Sequence, residues 1–156
     1  MRELVKKLIP TNLFKKIEPY GHQAEAMLAN VVYGFPARKL KIIGVTGTDG
    51  KTTTSTLITA MLRNAGYKVG MMTTISLDLG DGPIPNPTRL TTVTSFSLQR
   101  GLKQLANAGV DWVILETTSH ALAQHRVWGV PYSVAVFTNL SHEHLDYHGT
   151  FENYRD

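Results

Sequence analysis

From Lys39 onward, short apolar runs rich in β-branched residues alternate with longer stretches in which apolar positions recur every three or four residues. The runs Leu40 to Val45, Lys68 to Thr73, Trp112 to Glu116 and Ser133 to Thr138 predict strands. The stretches Lys51 to Asn64 and Ser95 to Ala108 predict helices, and a short helical turn is expected near Ala121. Gly66 and Gly109 sit where helix stops belong. Such alternation predicts an α/β fold, a mostly parallel sheet flanked by helices, with ligands at the carboxyl ends of the strands. Gly80, Asp81, Gly82 and Pro83, with Pro85 and Pro87, mark a loop following a hairpin.

The segment before Lys39 reads differently. Leu4, Val5, Leu8 and Ile9, then Leu13, Phe14 and Ile17, fall at helical spacing between Lys6, Lys7, Lys15 and Lys16, with Pro10 interrupting the run. A second apolar stretch covers Ala24 to Val32. The chain thus divides into a basic helical N-terminal segment, residues 1–38, and an α/β part, residues 39–156. Up to Lys41 there are eight Lys/Arg against three Asp/Glu, and from Ile42 onward eight against nine. The basicity therefore belongs to the first segment. A pair of short helices with their lysines in water is the simplest outcome; peripheral contact of a basic face with anionic membrane lipid is the alternative. The basic stretch carries no nucleic-acid reading motif. With no cysteine, disulfides and thiolate chemistry are excluded, as fits a cytoplasmic protein. No apolar run reaches the roughly 18 residues that span a bilayer.

The chemistry concentrates in three places. Residues 44–54 read Gly-Val-Thr-Gly-Thr-Asp-Gly-Lys-Thr-Thr-Thr between a predicted strand and a predicted helix. In such a loop glycines let successive N–H groups point at phosphate oxygens, Lys51 reaches the β/γ-phosphates and the Thr52 hydroxyl can bind Mg²⁺. Val45 stands where the general pattern has its first glycine. The strand ending in Glu116 offers a carboxylate to a Mg²⁺ shell, or else a helix cap or salt bridge. After the last strand comes Thr138-Asn139-Leu140 and then His142, His144, Asp146 and His148. This nearly copies the His-x-His-x-Asp-His signature of dinuclear metallohydrolases, but Tyr147 stands where the second-metal histidine belongs.

Gly47 to Thr53, Glu116 to Arg126 and Phe137 to Gly149, taken together, resemble the central ATPase domain of the Mur ligases. The likeness is strongest to the tripeptide-synthetase branch, which adds the third amino acid to the peptidoglycan precursor. It implies a P-loop domain, here incomplete, that uses ATP and Mg²⁺. It implies ATP binding through Gly47, Thr48, Asp49, Gly50, Lys51, Thr52 and Thr53, with Asn139 on the nucleotide side. It implies Mg²⁺ held by Thr52, Glu116 and His144, and a catalytic set of Lys51, Glu116 and His144. Thr91, Thr92, Thr118, Gln124 and Arg126 would lie along the site of the UDP-MurNAc-peptide. Arg126 suits a bidentate carboxylate or phosphate clamp, with a structural salt bridge as the alternative. The implied reaction is ATP-dependent amide formation through an acyl phosphate.

This chain departs from the family pattern at Asp49, where asparagine is usual, at Glu143 for aspartate, at Thr117 and Thr118 for a serine pair, and at Val93 for proline. It also lacks the family's further domains, so a fragment that binds phosphate without completing ligation alone is expected. A folylpolyglutamate synthase-like ligase shares this domain type, but Tyr147-His148-Gly149 and Gln124-x-Arg126 favour the muramyl branch. A non-catalytic nucleotide-binding module is the other alternative.

Overall fold

The computed structural model describes residues 11–74, 76–85 and 94–156, apart from the side chains of residues 11–19 and 83–85. Helix α1 (Thr11–Tyr33) and a 3-10 turn (Pro36–Lys39) lead into β1 (Lys41–Thr46), α2 (Lys51–Asn64) and β2 (Val69–Met72). Then come β3 (Ser76–Asp78), β4 (Pro83–Pro85), α3 (Ser95–Ala108), β5 (Trp112–Glu116), α4 (Ser119–Ala123) and β6 (Tyr132–Phe137). The short helices α5 (Leu145–His148) and α6 (Phe151–Arg155) follow.

The sheet order among the described residues is β4-β3-β2-β5-β1-β6. Strands β2, β5, β1 and β6 are parallel, and β3 and β4 are added antiparallel. Parallel strands covered on both faces must bury successive residues alternately on opposite sides. That pattern is present. Ile42, Val113, Leu115 and Met72 join Leu98, Leu102 and Leu105 of α3 in one core. Their neighbours Ile43, Val45, Val69, Met71 and Ile114 face the other side, where Ile58 and Leu62 of α2 pack. The carboxyl ends of β1 and β5, adjacent at the centre, are thereby held rigidly.

Two expectations change. Among the described residues the N-terminal segment is one long helix and not a pair of short ones: α1 runs continuously from Thr11 to Tyr33, through Pro19 and Gly21. An interior proline costs about 3 kcal/mol; packing offsets it, because His22, Ala26, Ala29 and Asn30, one stripe at helical spacing, are all buried. The residues before Thr11, including Lys6 and Lys7, lie outside the described residues. Gly80 to Gly82 do follow the antiparallel β2–β3 pair, but the segment after them is not all loop: they turn the chain into a further strand, and Pro83 and Pro85 lie in edge strand β4. An edge position tolerates a residue with no N–H to donate. Among the described residues no helix is long and apolar enough to cross a membrane.

Candidate functional site

Strand β1 ends at Thr46, and the chain turns through Gly47 (φ 134°) and Gly50 (φ 75°) before α2 begins at Lys51. L side chains rarely adopt either conformation. At Gly47 a Cβ would also collide with the Thr138 hydroxyl and lie 2.8 Å from the Asn139 carbonyl oxygen. Gly50 is the N-cap of α2, no side chain caps it, and the first turn holds no acidic residue. The leading N–H groups and the positive end of the helix dipole therefore suit an anion.

The residues after β6 clamp this loop from outside. The Asp49 N–H donates to Asn139 Oδ1 (2.9 Å), and Asn139 Nδ2 donates back to the Asp49 carbonyl (3.2 Å). Thr138 Oγ1 donates to the same carbonyl at 2.7 Å, and the Thr48 N–H donates to the Asn139 carbonyl at 3.0 Å. Asn139 thus shapes the loop through the backbone of Asp49, whose own side chain is exposed.

Lys51 Nζ folds over the loop, donating to the carbonyls of Gly47 (2.7 Å) and Thr48 (2.6 Å). One residue on, Thr52 Oγ1 donates to Glu116 Oε2 at 2.9 Å, joining the first turn of α2 to the end of β5. Thr53 is exposed on that turn. A hydroxyl and a carboxylate in contact are hard oxygen donors of the kind Mg²⁺ takes, so the residues present fit that ion. Among the described residues, no group of three or more His, Cys, Asp or Glu side chains is arranged to hold a metal. The run His142, His144, Asp146 and His148 makes no such group.

His144 stands instead in a cluster of rings. His120 of α4 lies 4.9 Å from it edge-on, 4.3 Å from Tyr147 and 5.6 Å from His148. His148 Nε2 is 3.2 Å from Ser119 Oγ, and His142 stacks on Phe151 at 4.4 Å. Burial first, then the neighbouring His144, holds both His120 and His148 below the ordinary imidazole pKa; Asp146 opposes this. Both shifts favour the neutral form of His120 and of His148.

Beside Glu116 a cleft of about 410 Å³ is lined by Met72, Leu98, Leu115, Thr118 and Arg126. Thr118 caps α4, its Oγ1 accepting from the Ala121 N–H at 3.2 Å. Gln124 at the other end of α4 is buried, and its Oε1 has no hydrogen-bond partner among the described residues. The strand end is locked from behind: Thr117 shares a 2.9 Å hydrogen bond with the Tyr132 hydroxyl, and burial raises the Tyr132 pKa against that bond. Asn30 Nδ2 donates to the Trp128 carbonyl at 2.9 Å, tying α1 to the turn that follows Arg126. Thr91 and Thr92 lie outside the described residues.

Of the residues that sequence reasoning put together, Thr52 and Glu116 are in contact, and Lys51 precedes Thr52 at the start of α2. That reasoning missed Thr138, His120 and Tyr154. Thr138 was legible only as a strand terminus. His120 lies inside the Glu116 to Arg126 motif and could have been noticed there, while Tyr154 sits in a short polar stretch with no periodicity.

Known proteins carry the same pattern. The family described as "Mur ligase middle domain" matches residues 45–156. The chain is 49% identical over 140 residues to "UDP-N-acetylmuramoyl-L-alanyl-D-glutamate--2,6-diaminopimelate ligase" of Geobacillus thermodenitrificans, covering 90% of this chain and 28% of that protein. It is 46% identical over 137 residues to "UDP-N-acetylmuramyl-tripeptide synthetase" of Deinococcus radiodurans, covering 87% of this chain and 28% of that one. A solved structure of a UDP-N-acetylmuramoyl-L-alanyl-D-glutamate--2,6-diaminopimelate ligase superposes with a TM-score of 0.63 at 42% identity, over 74% of this chain and 23% of the other. The chain thus spans about a quarter of these relatives' length. On the family match over residues 45–156 and these identities, the chain belongs to the Mur ligase family.

Proposed function

We propose that this chain is the phosphate-binding part of an ATP-dependent ligase that extends the peptide of a UDP-MurNAc precursor of peptidoglycan. The observation that carries the reading is the 2.9 Å contact between Thr52 Oγ1 and Glu116 Oε2 at the uncapped start of α2. It brings a metal-suited donor pair to the place where a triphosphate would end. The names of the similar ligases, which concern diaminopimelate and a muramyl tripeptide, supply the substrate class.

The reaction joins two anions before it makes an amide. A precursor carboxylate attacks the γ-phosphorus of ATP, ADP leaves, and the amine of the incoming amino acid displaces phosphate from the acyl phosphate. Lys51 and the α2 N–H groups neutralise and align the phosphates. Glu116 and Thr52, with His144 as the remaining candidate ligand, would hold Mg²⁺, which when bound offsets charge between carboxylate and phosphate. Thr118, Gln124 and Arg126 bind and orient the precursor: Arg126 offers a fork to a carboxylate, and Gln124 a buried oxygen that has no partner among the described residues. Cytoplasmic ATP would supply the reaction.

Calorimetry tests this directly. Mg-ATP should bind the chain, and Glu116→Gln should lower affinity about tenfold with magnesium while leaving ATP binding in chelator unchanged. Equal affinities with and without magnesium in the unaltered chain would sink the reading.

Asp49 predicts a smaller effect of opposite sign. Its exposed carboxylate repels the phosphates by about 1 kcal/mol in total at low salt. Asp49→Asn should therefore tighten ATP about fivefold, a gain that shrinks as salt rises. The clamp by Asn139 and Thr138 grips only the backbone of Asp49 and survives the exchange. Titration at two ionic strengths checks it, and no tightening at low salt refutes it.

A further inference from the structure

Contacts from distant parts of the chain meet at Thr48. Its hydroxyl accepts from the Ser141 N–H at 2.9 Å and lies 2.9 Å from the Tyr154 hydroxyl. Its carbonyl accepts from Lys51 Nζ. Thr48 and Tyr154 are both buried, at 4% and 8% exposure. Buried hydroxyls are costly to leave without partners, so this bond fixes both side chains.

The other end of Tyr154 touches the histidines. Its ring centroid is 5.1 Å from that of His148 and 6.0 Å, edge-on, from that of His144. His144 has φ 56°, a conformation that a bulky L residue keeps only where its surroundings determine it. Its carbonyl accepts from the N–H groups of Tyr147 and His148, and its ring packs edge-on to both His120 and Tyr154. Tyr154 is itself set by α6, where Thr150 caps the helix and Asn153 Nδ2 donates to the His148 carbonyl at 3.1 Å. One side chain therefore reaches the phosphate loop with its polar tip and the histidine pair with its ring.

We propose that Tyr154 is a positioning residue that holds the phosphate loop, through Thr48, and His144 in one register, so that filling the loop and setting His144 are a single event. The functional meaning rests on the nucleotide reading above; the coupling itself is a property of the chain alone. A phenylalanine would keep the ring packing but leave Thr48 with the Ser141 N–H alone. The hydroxyl transmits the register, and the ring receives it.

The test compares the unaltered chain with Tyr154→Phe, Thr48→Val and the double variant, by melting, by amide and imidazole ¹⁵N spectra, and by calorimetry with Mg-ATP. In nucleotide-free protein, Tyr154→Phe should move the amides of Gly47 to Lys51 together with the His144 and His148 ring signals. Mg-ATP affinity should fall about fivefold, the factor that one ordinary hydrogen bond supplies. The double variant should bind no more weakly than the weaker single one. Loop amides that stay in place, with affinity as in the unaltered chain, would reduce Tyr154 to a core residue and overturn the proposal. Should Tyr154→Phe fail to fold, Thr48→Val, which leaves the ring in place, must still move the His144 and His148 signals; unmoved rings overturn it. An unaltered chain that ignores Mg-ATP would overturn the nucleotide reading instead, while the nucleotide-free spectra still decide the coupling.

Discussion

Lys51→Met should lower Mg-ATP affinity about a hundredfold, the loss of about 3 kcal/mol expected when a charge-assisted contact to phosphate is removed. The lysine ammonium is the one positive side chain that the loop itself supplies, and it already hovers over the site, 2.7 Å from the Gly47 carbonyl and 2.6 Å from that of Thr48. Those two bonds raise a competing account in which the lysine only staples the loop. The two accounts part on stability. Met keeps the aliphatic stem, and the freed carbonyls turn to water, so the melting temperature should stay within about 4 °C, as expected for a change below roughly 1 kcal/mol. The amide signals of Thr48 and Asp49 should also hold, because Thr138 and Asn139 fix that stretch independently. Affinity that falls less than threefold in a folded variant would remove Lys51 from the phosphate site, and collapse of the loop signals would make it a staple.

Helices α2 and α3 were readable to the residue, because their periodicity is undisturbed and Gly50 precedes the one while Gly109 ends the other. Strand β5 was equally plain, since Trp112 to Glu116 is an apolar run that ends in a charge. Edge strand β4 was missed for a physical reason: turn residues and edge-strand prolines are the same amino acids, and only pairing distinguishes Pro83 and Pro85 from loop. The site was legible where one local segment makes it, as at Lys51 and Thr52. It was opaque where the chain must return. That Asn139 grips Asp49 across 90 residues, or that Tyr154 meets Thr48 across 106, follows from β6 lying against β1 and from the turn after it. No local pattern encodes such a meeting, so a motif could suggest Asn139 as a nucleotide contact while its observed partner is the loop backbone.

Arg63→Met should destabilise the fold by about 3 kcal/mol and lower the melting temperature by about 6 to 12 °C, although it lies away from the nucleotide site. Asp78 is 2% exposed, and its Oδ2 lies 2.9 Å from Arg63 Nη2. Its Oδ1 accepts from the N–H groups of Gly80 and Gly82 at 2.8 and 3.2 Å, which shapes the hairpin turn. The same guanidinium donates to the Val69 carbonyl from Nη2 at 2.6 Å and from Nε at 3.2 Å. One side chain in the last turn of α2 thus joins that helix to the start of β2 and to the antiparallel edge. Removing it strands a buried carboxylate, so the range for broken buried pairs applies, at its lower end because Arg63 keeps a third of its surface in water. Asp78→Asn in the same chain removes the stranded charge and keeps an acceptor for the two glycines, so the double variant should regain most of the loss. If it melts no higher than Arg63→Met alone, the charge pair is not the cause, and the bonds to Val69 are. The nucleotide loop lies at the opposite end of α2, so folded Arg63→Met should bind Mg-ATP as the unaltered chain does. Binding and stability therefore separate along a single helix: its first residue governs the ligand and its thirteenth the fold.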